Sequence, residues 1–425
     1  MSGAESFRRK LFLRYFTNSA HPIGKLYSFM VIKNQSTNKT LLLIFLLALT
    51  VRILFNIFYV GTTDVPISDA QDYHQIALSL LHTGAYHSTF RPPLLPFFIA
   101  ILYKLFGVNY FVVRIVLSIF SSFTCLIVYK ISKEIFDRQV ALIAAFISSI
   151  YWMMFYWCGF LLTETLCTFF LMLAVLYLIK SVRAPRMRYF IFGGMCLGLA
   201  ALARAFVFPI FLFLPLWAYI SFKSNTRFVY KSCVIISLAM FLVILPCTMR
   251  NYMLTNKFVP IASQGGFNLL GANNPEILKY YKGGVIHPIK SGLFKKGELN
   301  LKEISSAEAD QLYWKKGLDF IGKNPFFVIK LMFYKFKLFW HLHRDISLPS
   351  LQYFFVLLFA IYGSFISLKK FTTISILYLL PLFFTCMSLI FWGDDRIRSP
   401  IEPIFVIFAA YGIAQILERG KTTEQ

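Results

Sequence analysis

Acidic residues are scarce in this sequence of 425 residues, which contains 19 Asp and Glu against 43 Lys and Arg. Charged residues of both signs make up 15% of the chain, whereas a soluble domain carries about 25%. Hydrophobic residues make up 58%, and the mean hydropathy is +0.65. This shortage of charge excludes an ordinary soluble protein and predicts an all-α polytopic membrane protein.

The sequence also lacks the patterns of several common sites. The seven cysteines form no Cys-x-x-Cys pair, which argues against a disulfide framework or a zinc site. There is no Walker loop, no Gly-x-Ser-x-Gly motif and no His-Glu-x-x-His motif. His341 and His343 have no acidic cluster beside them. We therefore expect no metal site and no required cofactor, although clustered carboxylates could bind a divalent cation.

The net charge of +24 comes from basic residues that lie between the apolar runs. This placement is typical of cytoplasmic loops and of contact with anionic lipid headgroups, so we expect membrane lipids and no nucleic acid as partners. Residues 1–40 are predicted to be a basic cytoplasmic segment without a cleavable signal peptide, because the first apolar run begins near Leu41. The basic loops that follow place both termini in the cytoplasm, as in a bacterial inner or plasma membrane protein.

The apolar runs predict about ten transmembrane helices. These are residues 41–60, 110–129, 140–157, 160–179, 189–203, 206–222, 234–248, 351–368, 374–391 and 401–417. Residues 93–106 are apolar but short, and a crossing there would put the later basic loops on the wrong side of the membrane. They are therefore predicted to stay outside as a juxtamembrane segment.

Three parts follow the basic N-terminus in this interpretation. Residues 41–249 form a transmembrane catalytic module with a first external loop at 61–109, residues 250–350 form an external lid with a juxtamembrane helix, and residues 351–425 form C-terminal transmembrane helices and a short cytoplasmic tail. Within the lid, the Gly and Asn residues of 265–275 are interpreted as turns. A helix is predicted from about Ser305 to Gly322, and a second interfacial helix follows at 326–342.

The first external loop concentrates polar residues that are costly to place beside a membrane. Ser68 or Asp69 can cap a helix that contains Asp72 in its first turn and ends at Gly84. An external carboxylate can act as a general base for an acceptor hydroxyl or amine, which makes Asp69 and Asp72 catalytic candidates. The alternative is a helix cap followed by a solvated turn.

Arginines supply the candidates for phosphate binding, because a planar guanidinium matches phosphate oxygens. Arg91 precedes two prolines that stiffen the loop, and it could equally be an arginine that snorkels to the interface. Further arginines are predicted on the external side, and each could instead anchor a membrane edge. The substrate-binding and phosphate-binding candidates are Arg91, Tyr73, Arg204, Arg250, Asn251, Arg396 and Arg398.

Glu164 is a third catalytic candidate, because a carboxylate among so many apolar neighbours must face the protein interior or a cavity. It could orient a sugar or support Asp69. The alternative is that Glu164 only pairs with Arg204 or Arg250.

Several of these motifs resemble a known family. The segments DAQDYHQIA at 69–77 and RPPLLP at 91–96 resemble the first-loop signature of the GT-C polytopic glycosyltransferases, in the branch of the dolichyl-phosphate-mannose protein mannosyltransferases and aminoarabinose transferases. Further similar segments are LTETL at 162–166, ALAR at 201–204, RNY at 250–252, GGFNLLGANNP at 265–275 and RSPIEP at 398–403. The resemblance covers most of the chain and implies a GT-C-like fold.

The resemblance also implies a donor sugar on a polyprenyl phosphate and an acceptor that is a glycan, a lipid or a protein. Asp69 matches the family's first-loop catalytic aspartate, Arg91 matches a basic residue that contacts the lipid phosphate, and Glu164 matches a later acidic residue. Ala70 departs from the aminoarabinose branch, which has an acid there.

The function that these residues and the resemblance together imply is sugar transfer from a polyprenyl-phosphate donor to an external acceptor, with inversion. A polymerase or ligase that uses lipid-linked oligosaccharides would share this chemistry. A lipid-linked-sugar flippase without transferase activity is the alternative.

Overall fold

The computed structural model describes residues 37–62, 66–222, 226–278, 305–342 and 347–422, and within these ranges all regular secondary structure is helical. The all-α prediction is therefore confirmed. The predicted cytoplasmic segment 1–40 lies almost entirely outside the described residues, as does the middle of the predicted lid.

The described residues up to 255 contain ten α-helices. They are α1 Thr37–Phe55, α2 Asp69–Thr83, α3 Leu94–Phe106, α4 Tyr110–Ile135, α5 Arg138–Ile150, α6 Trp152–Phe155, α7 Glu164–Arg183, α8 Met187–Ala203, α9 Leu214–Phe222 and α10 Thr226–Thr255. A π-helical turn at Asn56–Val60 extends α1, and 3-10 turns at Tyr156–Gly159 and Ala205–Leu212 follow α6 and α8.

Seven further α-helices complete the described part of the chain. They are α11 Gly265–Ala272, α12 Ser306–Lys323, α13 Pro325–Phe339, α14 Leu348–Ser367, α15 Phe371–Ile390, α16 Asp395–Arg398 and α17 Glu402–Thr422. A large apolar core joins the long helices: α7 packs against α4 and α8, α8 against α10, and α17 against α5 and α14.

Six segments in the described residues are long and apolar enough to cross a membrane, and the number is eight if two bent helix pairs each count as one span. A multi-pass integral membrane protein is confirmed, but the count of ten is not. Two reasons account for the difference. Helix α8 has only 17 residues, and residues 348–390 are counted as one apolar segment although they contain both α14 and α15.

Arg52 is buried in the first span and has no acidic partner in the described residues. One bent pair lies next to it, where residues 138–150 and 152–159 meet at 71°. Its guanidinium donates to the carbonyl oxygens of Ser149 at 3.1 Å and Ser148 at 3.4 Å, which lie at the end of α5. A bend inside a membrane frees backbone carbonyls that need donors, so Arg52 serves the fold.

Helices α14 and α17 approach closely at a glycine. A Cβ atom added to Gly363 would lie 1.9 Å from the carbonyl oxygen of Phe408. Small residues allow such backbone contact between membrane helices. We expect Gly363→Val to separate the two helices and to destabilise the protein by about 1–3 kcal/mol or more, because overpacking forces backbone shifts.

The measurement is thermal unfolding in detergent. The matched control is Gly322→Ala in α12, since an added Cβ there has nothing within 4 Å. Equal melting temperatures for the Gly363 variant and the wild type would contradict the close packing.

The loop at 61–109, which was predicted to be external, folds largely as expected in its described part. A helix begins at Asp69, and Gly84 ends it in the left-handed conformation at φ 67°. Ser68 occupies the cap position at φ 54° but makes no side-chain capping bond, so the predicted cap is present in position only. The apolar segment 93–106 forms the 13-residue helix α3, which is shorter than the candidate spans.

The lid prediction needs one correction. Residues 265–272 form α11 and are not turns, because Gly266 and Phe267 donate their backbone N–H groups to the carboxylate of Asp310 on α12. The glycines permit this approach, since a Cβ on Gly266 would lie 2.1 Å from the Asp310 carbonyl oxygen. The helix predicted near Ser305 is present as α12 and begins with a capping box between Ser305 and Glu308.

Candidate active site

Asp69 lies at the centre of a set of charged side chains. Its Oδ1 accepts a hydrogen bond from Arg91 Nη2 at 2.6 Å, and its Oδ2 accepts one from Arg396 Nη1 at 2.5 Å. Burial raises the pKa of Asp69, but the guanidinium groups of Arg396 and Arg91 outweigh it and lower the pKa to about 2. Asp69 is therefore ionised at neutral pH, with an arginine on each oxygen.

Arg91 extends this set toward solvent. Its Nη2 lies 2.7 Å and its Nε 3.2 Å from Asp72 Oδ2, while the side chain of Asp72 is 52% exposed. The guanidinium also lies over the rings of Phe90 and Tyr73, at 5.2 Å and 5.5 Å from their centroids. Burial raises the pKa of Tyr73, which stays a neutral platform under Arg91.

Arg396 extends the set toward the interior. Its Nε donates to Glu164 Oε1, which also accepts from Arg204 Nη1 at 3.1 Å. Arg204 Nη1 also donates to the carbonyl oxygen of Arg396 at 3.0 Å. Arg204 and Arg396 therefore contact each other and donate to the same oxygen of Glu164. The second carboxylate oxygen of Glu164 is buried and has no hydrogen-bond partner among the described residues. Glu164 is also one of the residues that line a cavity of about 10 Å³.

Six side chains thus form one continuous run of ion pairs, here called the charge chain. Its order is Asp72, Arg91, Asp69, Arg396, Glu164 and Arg204. Three carboxylates and three guanidinium groups cancel in formal charge. The members come from positions as far apart as 327 residues, so the fold and not the local sequence brings them together.

Five members of the charge chain lie in or next to the ends of helices, and Arg91 lies in the loop before α3. Asp69 and Asp72 occupy the first turn of α2, where residues three apart share one face. Glu164 begins α7, and Arg204 lies between α8 and the next 3-10 turn. Arg396 lies in α16, whose start Asp394 caps by accepting from the Ile397 N–H at 2.8 Å. Six of the ten predicted site residues meet in this way.

Arg250 and Asn251 lie near the site but are turned to the backbone. Arg250 Nη2 donates to the carbonyl oxygens of Ser88, at 2.7 Å, and Tyr86, and its guanidinium lies 3.8 Å from the Tyr86 ring centroid. Tyr86 in turn donates its hydroxyl to the Arg91 carbonyl. Asn251 is fully buried and donates to the carbonyl oxygens of Val259 and Ile261. Both residues shape loops beside the charge chain.

Arg398 belongs to a second, separate cluster. Its Nε lies 2.5 Å from Glu402 Oε1, and both side chains are fully buried. Tyr151 donates its hydroxyl to Glu402 at 2.9 Å, and the Arg398 guanidinium lies 4.0 Å from the Tyr353 ring centroid. The spacing of four residues between Arg398 and Glu402 on a helical segment could have identified this pair from the sequence.

We expect Arg250→Gln to weaken the loop that carries Arg91. Each lost hydrogen bond to a charged group is worth about 1.5–3 kcal/mol, so the free energy of unfolding should fall by about this amount. The measurement is thermal unfolding in detergent. Arg188→Gln is the control, because Arg188 is exposed at the start of α8. Equal melting temperatures for both variants would contradict this role of Arg250.

The described residues contain no group of three His, Cys, Asp or Glu side chains that could bind a metal ion. Both oxygens of Asp69 and one of Glu164 face arginines, so the donor set offered by the charge chain suits anions better than divalent cations.

A comparison with protein families matches residues 90–249 to the dolichyl-phosphate-mannose-protein mannosyltransferase family. This range includes Arg91, Glu164 and Arg204 but covers less than half of the chain. No curated protein sequence matches the chain.

Solved structures of the oligosaccharyltransferase AglB from Archaeoglobus fulgidus share the fold. One, in complex with an inhibitory peptide and a dolichol-phosphate, aligns with a TM-score of 0.59 at 18% identity over 90% of this chain and 50% of that chain. Another, in complex with Zn and sulfate, aligns with a TM-score of 0.58 at 16% identity over 89% of this chain and 49% of that chain. The chain thus spans about half the length of these structures.

ArnT from Cupriavidus metallidurans, in the apo state, aligns over 89% of this chain and 78% of that chain at 12% identity. Its TM-score of 0.42 is too low to indicate a common fold by itself. The family match over residues 90–249 and the fold shared with AglB, a member of the GT-C superfamily, together confirm the resemblance of this chain to the GT-C polytopic membrane glycosyltransferases.

Proposed function

We propose that the protein is an inverting glycosyltransferase that moves a sugar from a polyprenyl phosphate to an acceptor on the external side of the membrane. One observation carries this proposal: a half-buried aspartate, Asp69, lies between two arginines at the end of the helical bundle. A base and phosphate-binding groups in direct contact are what transfer from a sugar phosphate needs. The family match and the shared fold support the same class of reaction.

The reaction assigns one role to each part of the charge chain. An acceptor hydroxyl or amine attacks the anomeric carbon from the face opposite the phosphate, and Asp69 takes its proton. The bond between the anomeric carbon and the phosphate oxygen breaks, and the electron pair leaves with the phosphate. Arg91 and Arg396 stabilise the charge that develops on the departing oxygen, because donors aimed at such charge lower the barrier.

Glu164 and Arg204 orient Arg396, which lies between them and Asp69. A carboxylate that shares one oxygen with two guanidinium groups fixes the direction of both. The side chain of Asp72 lies on the solvent side of the charge chain, and its role is to hold Arg91 in place from there. Tyr73 supports the face of Arg91.

The pairing of Asp69 has a consequence for the order of binding. Both of its oxygens accept from arginines, and with a pKa of about 2 it is a weak base. A donor phosphate that takes over hydrogen bonds from Arg91 and Arg396 would free an oxygen of Asp69 and raise its pKa. The donor therefore binds before the acceptor in this mechanism, and product inhibition by polyprenyl phosphate should be competitive with the donor.

The lipid and acceptor partners follow from the same chemistry. The donor is a polyprenyl-phosphate sugar, and the AglB structures with a dolichol-phosphate and with an acceptor peptide support this assignment. The acceptor is a glycan, a lipid or a protein. One AglB structure contains Zn, but the charge chain of this protein fits a phosphate better, and no step is assigned to a metal.

The topology is part of the proposal. The charge chain would face the external side and both termini the cytoplasm, as the basic loops of the sequence favour. The transmembrane module 41–249 and the C-terminal helices 351–425 would each supply part of the charge chain, because Asp69 and Arg396 come from them. Arg250 of the lid 250–350 would hold the loop that precedes Arg91.

The experiment that tests this function is a transfer assay with purified protein. Radiolabelled polyprenyl-phosphate sugars and the corresponding nucleotide sugars are each incubated with a membrane fraction that contains acceptors. Label is expected on a new product with lipid donors only. Transfer from nucleotide sugars alone would contradict the proposal.

A further inference from the structure

Lys335 is an unusual lysine, because it is fully buried and has no carboxylate partner among the described residues. Its Nζ donates to Asn273 Oδ1 at 2.9 Å and to the carbonyl oxygens of Leu389 at 3.1 Å and Ile390 at 3.3 Å. A protonated amine has three N–H groups, and each has one acceptor here. A neutral amine would leave one of the three acceptors without its donor.

These acceptors belong to two other elements. Leu389 and Ile390 end α15, where the last carbonyl oxygens of a helix lack partners and the helix dipole favours a cation. Asn273 follows α11 in the lid and also donates its own amide to the Ile390 carbonyl at 2.9 Å. Lys335 thus joins α13, the lid segment and the end of α15 at one point.

The segment that follows this point carries Arg396. Gly393 packs on the backbone of Lys335, since an added Cβ there would lie 2.3 Å from the Lys335 carbonyl oxygen. Asp394 then caps α16, and Arg396 reaches Asp69 and Glu164 from that helix. Only five residues separate Ile390 from Arg396, so the direction of the segment determines where the guanidinium lies.

We propose that Lys335 is a positioning residue whose protonated amine fixes residues 391–398 and thereby holds Arg396 against Asp69 and Glu164. Lys335 touches no member of the charge chain and acts through this segment alone. The inference rests on the proposed function only for the chemical role of Arg396.

The proton on Lys335 makes this contact sensitive to pH. Burial lowers the pKa of Lys335 to about 7. The three hydrogen bonds are therefore complete below this value and incomplete above it. Charged groups on the packed elements are Glu276 in the lid segment, Lys330 and Lys337 on α13, and Asp394, Asp395, Arg396 and Arg398 after α15. None of them forms an ion pair with Lys335.

Hydrogen exchange of residues 391–398 in the full-length protein tests the proposal without any assay of activity. In this segment the Phe391 N–H bonds the Met387 carbonyl at 2.9 Å, and the Ile397 N–H bonds Asp394. After correction for intrinsic rates, wild-type exchange is expected to be slow at about pH 6 and about tenfold faster at about pH 9. Lys335→Met should exchange fast at both values, and Lys335→Arg slowly at both.

Lys330→Met is the matched control, since Lys330 is exposed on the same helix and should behave as the wild type. Exchange in Lys335→Met equal to that of the wild type at both pH values would overturn the proposal. If the Arg variant does not fold, the comparison of Lys335→Met with the wild type still decides. Normal exchange behaviour together with no transfer activity would reject the proposed function and leave the positioning role intact.

In the transfer assay, Lys335→Met is expected to lower kcat about 10–100-fold, because small misplacements at an active site have effects of this size. The KM for the acceptor should change little. A parental kcat and pH profile in this variant would also overturn the proposal.

Discussion

Asp69→Asn is expected to lower kcat by about 10²–10⁴-fold, which is the contribution of a positioned general base. An amide cannot accept the proton of the acceptor group at neutral pH, and it cannot pair with two guanidinium groups as a carboxylate does. The measurement is transfer of radiolabelled sugar by the purified variant at saturating donor. A melting temperature close to that of the wild type shows that the fold is retained.

Asp72→Asn is the matched control for this substitution. Both aspartates lie in the first turn of α2 and bind Arg91, but only Asp69 also binds Arg396. The side chain of Asp72 is 52% exposed, so its ion pair is worth about 1 kcal/mol or less. Its loss should reduce kcat by less than about tenfold. Parental activity in Asp69→Asn would remove the proposed base, and a larger loss in Asp72→Asn would transfer that role to Asp72.

Arg396→Gln is expected to lower kcat about 10²–10³-fold, as the removal of one donor to a developing negative charge does. It should also change the pH dependence of kcat/KM, which reports the free enzyme. Arg396 makes the larger of the two arginine contributions that lower the pKa of Asp69. Without it the pKa of Asp69 rises, so the acid limb moves to higher pH.

Arg204→Gln separates this effect from a general loss of charge. Arg204 binds Glu164 and the Arg396 carbonyl but does not contact Asp69. Its loss should lower kcat less and leave the acid limb in place. A kcat for Arg396→Gln within about twofold of the wild type would contradict the role of Arg396 at the leaving phosphate.

Local sequence signals predicted much of the first loop and the helices. A polar segment after the first apolar run predicted α2 and its end at Gly84, because glycine alone adopts the left-handed conformation without strain. The helical pattern from about Ser305 to Gly322 predicted α12, whose start is a capping box between Ser305 and Glu308. These features depend on neighbours within a few residues, so the sequence contains them.

Local sequence signals could not predict which of the site residues pair with one another. The composition indicated that Asp69, Arg91, Glu164, Arg204 and Arg396 are costly in a membrane protein, but it could not state which of them meet. Arg398 was grouped with them because it was predicted on the external side, yet it pairs with Glu402. Residues two apart on a helix point in different directions, so Arg396 and Arg398 do not share a face.

The sequence also contained a signal for the internal position of Lys335. Residues 326–342, which include Lys335, were predicted to be an interfacial helix. Leu331, Lys335 and Phe339 follow a spacing of four residues, and all three are fully buried on one face of α13. A lysine in an otherwise apolar stripe therefore indicated an internal role.

The number of spans could not be derived from hydropathy alone. Apolar composition does not distinguish a crossing helix from a bent pair or from a short apolar helix such as α3 or α8. These differences depend on the packing of helices against one another and not on the run of apolar residues.

The most direct test of the proposed function places the purified protein in sealed liposomes with a labelled polyprenyl-phosphate sugar and an acceptor fraction. Covalent transfer and movement of the labelled lipid between leaflets are measured in the same sample. Label that appears on the acceptor with wild type and not with Asp69→Asn is the predicted result. Label that stays on the lipid but changes leaflet would contradict transfer and identify the protein as a flippase of lipid-linked sugars.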